Sequence, residues 1–240
     1  MKTSIINGVI VGLVACALPG CSQSAPDRSN SPATGKVNGA PASAGEPVAD
    51  GSAFLAAAEP FENLTETAPG APPQKLAASI AATRKTGHTI APSMPAPQRR
   101  KLEASLSGIA EGNATGDRAE IALAAVEGYR ALVESAGESG KIPQAVSLLD
   151  YAGFRFQANL AADPVRWDDA AKALSFARSE WAGVAPRVHD AALSDKFSGA
   201  LDKMERASST QDRVASRRAA ITELDLVDEL ENYFTGRPGG

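Results

Sequence analysis

The strongest constraint on the fold is a helical spacing of apolar residues in the second half of the chain. Between residues 143 and 162 they are separated by three or four positions: Val146, Leu149, Gly153, Phe156 and Leu160. This spacing puts them on one face of a helix, which is typical of helices that pack against each other. Pro143 suits the first turn of this helix, where proline is tolerated.

Four other segments show a similar periodicity. They cover residues 117–136, 166–184, 187–206 and 210–234. Short connections place successive helices antiparallel, and no segment shows the alternation of apolar residues that is typical of strands. Together with a helix that restarts near Pro97, they predict an all-α fold. We expect an antiparallel bundle of four to six helices over residues 98–235.

Residues 53–97 give a weaker signal. Residues 53–64 are apolar enough for a short helix or a strap on the bundle, and Leu76 and Ile80 share one face of a weak helix. Residues 87–97 contain three prolines and are predicted to form a loop. We therefore expect a poorly ordered strap with weak helix before the bundle.

The N-terminus is predicted to be an export signal. Lys2 precedes a mostly apolar run over residues 4–18, which is shorter than the roughly 20 residues that span a bilayer. A signal peptide over residues 1–20 is therefore the better interpretation. Both cysteines of the chain, Cys16 and Cys21, lie at the end of this region, so they do not indicate a disulfide framework.

Residues 18–21 (Leu-Pro-Gly-Cys) resemble the lipobox of bacterial lipoproteins. The resemblance implies that Cys21 carries a lipid, and the polar segment that begins at Ser22 favours this cysteine. Cys16 is the alternative, because small and aliphatic residues precede it, but this choice leaves a very short apolar run. The resemblance further implies attachment to the outer membrane, facing the periplasm, since Ser22 does not look like a retention signal.

Residues 21–52 are predicted to form the lipid anchor and a disordered tether. They are rich in Ala, Gly, Ser and Pro, with Val37 and Val48 as the only large apolar residues after the cysteine. Such a segment cannot bury enough surface to offset its ordering entropy. As a flexible coil it would span about 30 Å. Residues 236–240 are predicted to be a disordered tail.

The composition offers little to a catalytic or cofactor site. The chain has two histidines, and no catalytic, metal or cofactor motif stands out, so no cofactor is predicted. His88 and Met94 could hold copper together, but one such pair is an incomplete site. The net charge of −4, without a concentrated basic face, argues against a nucleic-acid partner.

Two glycines in neighbouring predicted helices, Gly128 and Gly153, lie on inner faces at about the same distance from the loop near residue 140. Each costs about 1 kcal/mol relative to alanine in a helix interior, so close packing should compensate. The alternative is a small ligand pocket at this level of the bundle. Six side chains are candidates for its lining: Tyr129, Asp150, Tyr151, Phe154, Arg155 and Phe156.

Asp150 lies between apolar neighbours, and two interpretations remain open. A buried carboxylate with a raised pKa would have a functional role. A structural ion pair is the other interpretation, with Arg155 or an arginine of the last helix as the partner.

The last predicted helix has arginines in its first half and carboxylates in its second, which is the order that the helix dipole disfavours. A solvated face is one interpretation. The other is an acidic patch that docks a basic partner and releases it at high salt. The candidate docking residues are Glu223, Asp225, Asp228, Glu229 and Glu231.

These observations favour a non-enzymatic, lipid-anchored protein of the bacterial cell envelope. We expect it to act as an interaction or accessory module, with the membrane and an envelope protein as partners. One alternative is a bundle that binds a small ligand or metal, such as haem, copper or a hydrophobe. A further alternative is a hydrolase whose site the sequence does not reveal.

Overall fold

The computed structural model describes residues 50–236, which form eight α-helices and no strand. The helices are α1 (Gly51–Thr67), α2 (Pro73–Ile90), α3 (Ala96–Thr115), α4 (Arg118–Ala136), α5 (Gln144–Ala161), α6 (Trp167–Val184), α7 (Ala191–Ser209) and α8 (Arg213–Thr235). Short 3-10 turns follow α2 and α6. The predicted all-α bundle is confirmed, because α3 to α8 supply six helices over the predicted range and α1 and α2 precede them.

The predicted strap is the main difference between expectation and structure. Residues 53–97 form α1, α2 and the beginning of α3, and α2 extends through Gly87 to Ile90. Phe54, Phe61 and Leu64 on α1 are at most 1% exposed. The segment is therefore ordered by packing of an apolar face, which outweighs its weak intrinsic signal and the proline inside α1.

Three helices begin at an aspartate that caps them. The side chains of Asp117, Asp190 and Asp212 each accept a hydrogen bond from the backbone N–H three residues later. Each bond satisfies one donor that a helix N-terminus leaves free. These caps mark where α4, α7 and α8 start.

The core consists of two hydrophobic clusters that meet at α5. The first cluster contains residues of α1 to α4, and the second contains residues of α5 to α8. From α5, Tyr151 and Phe154 belong to the first cluster, whereas Leu149 and Phe156 belong to the second. Both clusters lie within residues 50–236, so a chain of residues 50–240 retains every residue of the packed core.

None of the described helices is both long and apolar enough to cross a membrane. The predicted signal peptide, both cysteines, the tether up to residue 49 and the end of the tail at residues 237–240 lie outside the described residues.

Candidate functional site

The two predicted glycines pack against different helices. A Cβ atom at Gly128 would overlap the ring of Phe61 on α1, and one at Gly153 would overlap the Glu223 carboxylate on α8. Each glycine therefore allows the close approach of a side chain, as the packing interpretation predicts. Because another helix fills the space beside each glycine, the structure does not place the predicted pocket between them.

Two of the predicted pocket residues, Tyr129 and Asp150, instead line a cleft between α1, the α4–α5 loop and the C-terminal half of α8. Its volume is about 530 Å³. We call it the acidic cleft, because its lining contains five carboxylates and one cationic side chain: Glu59, Glu62, Asp150, Asp228, Glu231 and Lys141.

Helical spacing brings four of these carboxylates to the cleft. Glu59 and Glu62 are three residues apart on α1, and Asp228 and Glu231 are three residues apart on α8. Residues at this spacing lie on the same side of a helix. Within residues 50–236, none of the five carboxylates of the acidic cleft takes part in a salt bridge. The cleft therefore concentrates carboxylates that no salt bridge compensates within the described part of the protein.

Asp150 has the most deeply buried carboxylate of the cleft lining, and 8% of its surface is exposed. The hydroxyl of Tyr129 donates a hydrogen bond to its Oδ2 over 3.4 Å. Burial, followed by the negative charges of Glu62 and Glu231, raises the pKa of Asp150 well above its usual range. The predicted ion pair of Asp150 with an arginine is wrong, since no arginine reaches this carboxylate among the described residues.

Arg155, the proposed partner, points to another part of the bundle. Its guanidinium donates to the Tyr151 hydroxyl and forms an ion pair of 3.1 Å with Glu127. Tyr151 also packs edge-on against Phe176, with 5.4 Å between the ring centroids. Tyr151 and Arg155 therefore belong to a structural network, and Phe154 packs in the first hydrophobic cluster with an edge contact to the ring of Tyr129.

Burial and neighbouring carboxylates shift the ionisation of Glu62. Its burial, together with the nearby charges of Glu66 and Glu231, raises the pKa of Glu62 to about 7. Burial and then the charge of Asp228 likewise raise the pKa of Glu231. A positively charged group in the cleft would lower these pKa values and remove the repulsion.

The proline inside α1 removes one hydrogen bond of that helix. Pro60 has no N–H group, so it cannot donate the helical hydrogen bond to the carbonyl oxygen of Ala56. Ala56 lines the acidic cleft, on the same helix as Glu59 and Glu62.

The predicted docking residues of the last helix separate into four environments. Asp228 and Glu231 line the acidic cleft, whereas Glu229 pairs with Lys196 on α7 over 3.4 Å and Asp225 is exposed. Glu223 is fully buried, and both of its carboxylate oxygens lack a hydrogen-bond partner within the described residues. Its prediction as a docking residue is therefore wrong, because it faces Gly153 in the core.

The candidate metal ligands lie in unlike environments. His88 is exposed on α2, whereas Met94 is buried in the first hydrophobic cluster. Among residues 50–236, no group of three or more His, Cys, Asp or Glu side chains is arranged to hold a metal ion.

Sequence reasoning missed Glu59 and Glu62 because it assigned them to a strap. Their three-residue spacing, together with that of Asp228 and Glu231, was the available signal, but only the packing of α1 brings the two pairs to one cleft.

The chain matches no protein-family model, no curated protein and no solved structure.

Proposed function

We propose that this protein is a non-enzymatic binding module of the bacterial cell envelope, which docks a basic segment of a partner protein in the acidic cleft. A lipid on Cys21 would hold it at the outer membrane, facing the periplasm. The resemblance of residues 18–21 to a lipobox supports this attachment.

One observation carries the binding proposal: five carboxylates line a single cleft and none of them pairs with a cation among the described residues. Charges that are brought together without partners oppose folding. A lysine or arginine side chain from a partner would compensate them, and complementary charge also accelerates encounter and selects the partner. The acidic cleft is therefore suited to a positively charged group.

The depth of Asp150 favours a second candidate, a small organic amine. This carboxylate is 8% exposed and accepts a hydrogen bond from Tyr129, so only a narrow group can reach it. The ammonium group of a small molecule could meet that requirement as well as a lysine side chain. Haem, copper and hydrophobes are less suited to a cleft that is lined by carboxylates.

Native mass spectrometry distinguishes the two candidates. A chain of residues 50–240 would be purified from a bacterial periplasm, and its native mass would be compared with its denatured mass. An excess mass that is lost on denaturation and absent from the Glu62→Gln/Glu231→Gln variant would identify a small ligand of the cleft. We expect no excess mass, which leaves a protein partner as the occupant.

Binding of a lysine-rich peptide tests the proposal directly. We expect isothermal titration calorimetry to show binding that weakens at high salt and is lost in the Glu62→Gln/Glu231→Gln variant. Glu103→Gln/Glu111→Gln is the matched control, since it removes the same charge from exposed positions on α3. Equal loss in both variants, or no binding by the unaltered chain, would exclude the acidic cleft as the docking site.

A further inference from the structure

The C-terminal half of α7 and the N-terminal half of α8 form a second charged surface, of opposite sign. A groove of about 440 Å³ runs between them over a floor of small side chains. Its cationic lining is Lys203, Arg206 and Arg218, and no carboxylate lines it. We call this surface the basic face. Arg218 in the first half of α8 lines the basic face, whereas Asp228 and Glu231 in the second half line the acidic cleft.

The cations of the basic face have no ion-pair partners within residues 50–236. Other cations on and beside α7 do have partners. Arg178 pairs with Asp202 over 2.9 Å, and Lys196 pairs with Glu229 over 3.4 Å. The basic face is therefore free to compensate negative charge from outside the described part of the chain.

Two exposed aliphatic side chains adjoin these cations. Val214 is 70% exposed and Ile221 is 46% exposed, and they are the exposed large hydrophobic residues of the described part of the chain. They precede and follow Arg218 by four and three residues, so all three lie on one side of α8. A free phosphate ion would need only the cations, and single-stranded nucleic acid would favour aromatic side chains for stacking.

Cations beside exposed aliphatic residues are the combination that a membrane surface binds. Guanidinium and ammonium groups contact lipid phosphates, while aliphatic side chains enter the boundary between headgroups and acyl chains. We propose that the basic face docks on the headgroups of anionic phospholipids at a bilayer surface. This inference is independent of the acidic cleft and of the predicted lipid on Cys21.

Vesicle binding by a chain of residues 50–240 tests the inference without the predicted anchor. Sedimentation would compare vesicles of phosphatidylcholine with vesicles of equal parts phosphatidylcholine and phosphatidylglycerol. We expect binding to the anionic vesicles alone. Lys203→Ala/Arg218→Ala should weaken it about 25-fold, because each cation near an anionic surface contributes about a fivefold change in partitioning.

Two further variants separate the parts of the inference. Arg84→Ala/Lys85→Ala removes the same charge from exposed positions on α2 and should weaken binding by about twofold or less. Val214→Ser/Ile221→Ser should weaken it by about fivefold or more, through loss of the aliphatic contact. Circular dichroism would verify that every variant is folded.

Several outcomes would overturn the inference. Equal binding to neutral and anionic vesicles, or equal losses in the two charge variants, would exclude the basic face as a specific membrane surface. Undiminished binding by Val214→Ser/Ile221→Ser would show a phosphate site without membrane insertion. Tighter binding to duplex DNA than to the anionic vesicles would show that the surface serves nucleic acid instead.

Discussion

The acidic cleft and a second cleft, between α3, α4 and α5, are similar in size and differ in how their charges are compensated. Their volumes are about 530 and 420 Å³. The carboxylates that line the second cleft are Glu120, Glu127 and Asp169, and they pair with Arg166, Arg155 and Lys172. We call it the paired cleft. The five carboxylates of the acidic cleft have no such partners within residues 50–236.

This difference separates a structural use of charge from a functional one. The Glu127–Arg155 ion pair connects α4 and α5, which pack together. The Asp169–Lys172 pair lies within α6, so the charges of the paired cleft are compensated within the fold. The acidic cleft keeps its repulsion, which lowers stability unless a ligand removes it. A cluster of unpaired carboxylates that lowers stability is expected at a site where a protein binds a ligand or partner.

Arg155→Ala tests whether the paired cleft is structural, and we expect the largest effect here. The variant deprives the buried Tyr151 hydroxyl of a donor and Glu127 of its ion pair. Loss of about 2 kcal/mol in the free energy of unfolding should follow, or a Tm lower by about 4–8 °C. Thermal unfolding measures this, with Arg84→Ala on α2 as the control. A change below about 0.5 kcal/mol would mean that the network is not structural.

Glu62→Gln should raise the free energy of unfolding, whereas Arg155→Ala should lower it. The folded-state pKa of Glu62 is raised to about 7, above an unfolded value of about 4.3. The folded protein therefore binds more protons between these values, so the free energy of unfolding falls as pH rises through this range. Because Glu62 is partly exposed, we expect the variant to be more stable by about 1–2 kcal/mol at pH 8 or so.

The pH dependence provides the control for this prediction. At about pH 3, well below the unfolded pKa of about 4.3, Glu62 is protonated in both states, so the stability of the variant should approach that of the unaltered protein. Urea unfolding over this pH range measures the difference. A variant that is less stable than the unaltered protein at alkaline pH would contradict this prediction, because it would mean that a favourable contact compensates the Glu62 charge.

Glu120→Gln in the paired cleft provides a smaller contrast. Glu120 pairs with Arg166 over 3.2 Å, and both side chains are more than a third exposed. An ion pair of this exposure contributes about 0.5 kcal/mol, so the variant should be destabilised by that amount. Urea unfolding near neutral pH checks this, and a gain in stability would remove the contrast between the two clefts.

Salt should have the smallest effect. Raising the sodium chloride concentration from about 0.05 to 0.5 M screens repulsion among the carboxylates of the acidic cleft. The unaltered protein should gain a few tenths of a kcal/mol in the free energy of unfolding relative to Glu62→Gln/Glu231→Gln. Equal salt dependence of the two proteins would indicate that the repulsion within the cleft is negligible.

The helical class could be predicted from periodicity, whereas the site could not. The three- and four-residue spacing from Val146 to Leu160 reports directly on the buried face of α5, and that face is in the core. By contrast, α1 has a proline inside it and few large apolar residues, so its helical state depends on packing that sequence spacing does not reveal. Since α1 supplies Glu59 and Glu62 to the acidic cleft, the cleft could not be predicted without the packing of α1.

Asp150 and Glu223 show that the pattern along one helix does not predict contacts with another helix. Asp150 was recognised as a candidate buried carboxylate, but its partner proved to be Tyr129 rather than an arginine. Glu223 looked like part of an exposed acidic run, although its position on α8 turns it towards Gly153 in the core. In both cases the neighbour comes from another helix, and sequence spacing along one helix does not identify it.

Whether the carboxylates of the acidic cleft are uncompensated and bind cations is tested most directly by a carbon-13 NMR titration of the Glu62 carboxyl group. The titration would use a chain of residues 50–240. We predict a pKa of about 7 for this group in the free protein and a clear decrease when a lysine-rich peptide is added, because the bound cations compensate the carboxylates. An ordinary pKa of about 4.3, unchanged by the peptide, would contradict the claim that the acidic cleft is uncompensated and binds cations.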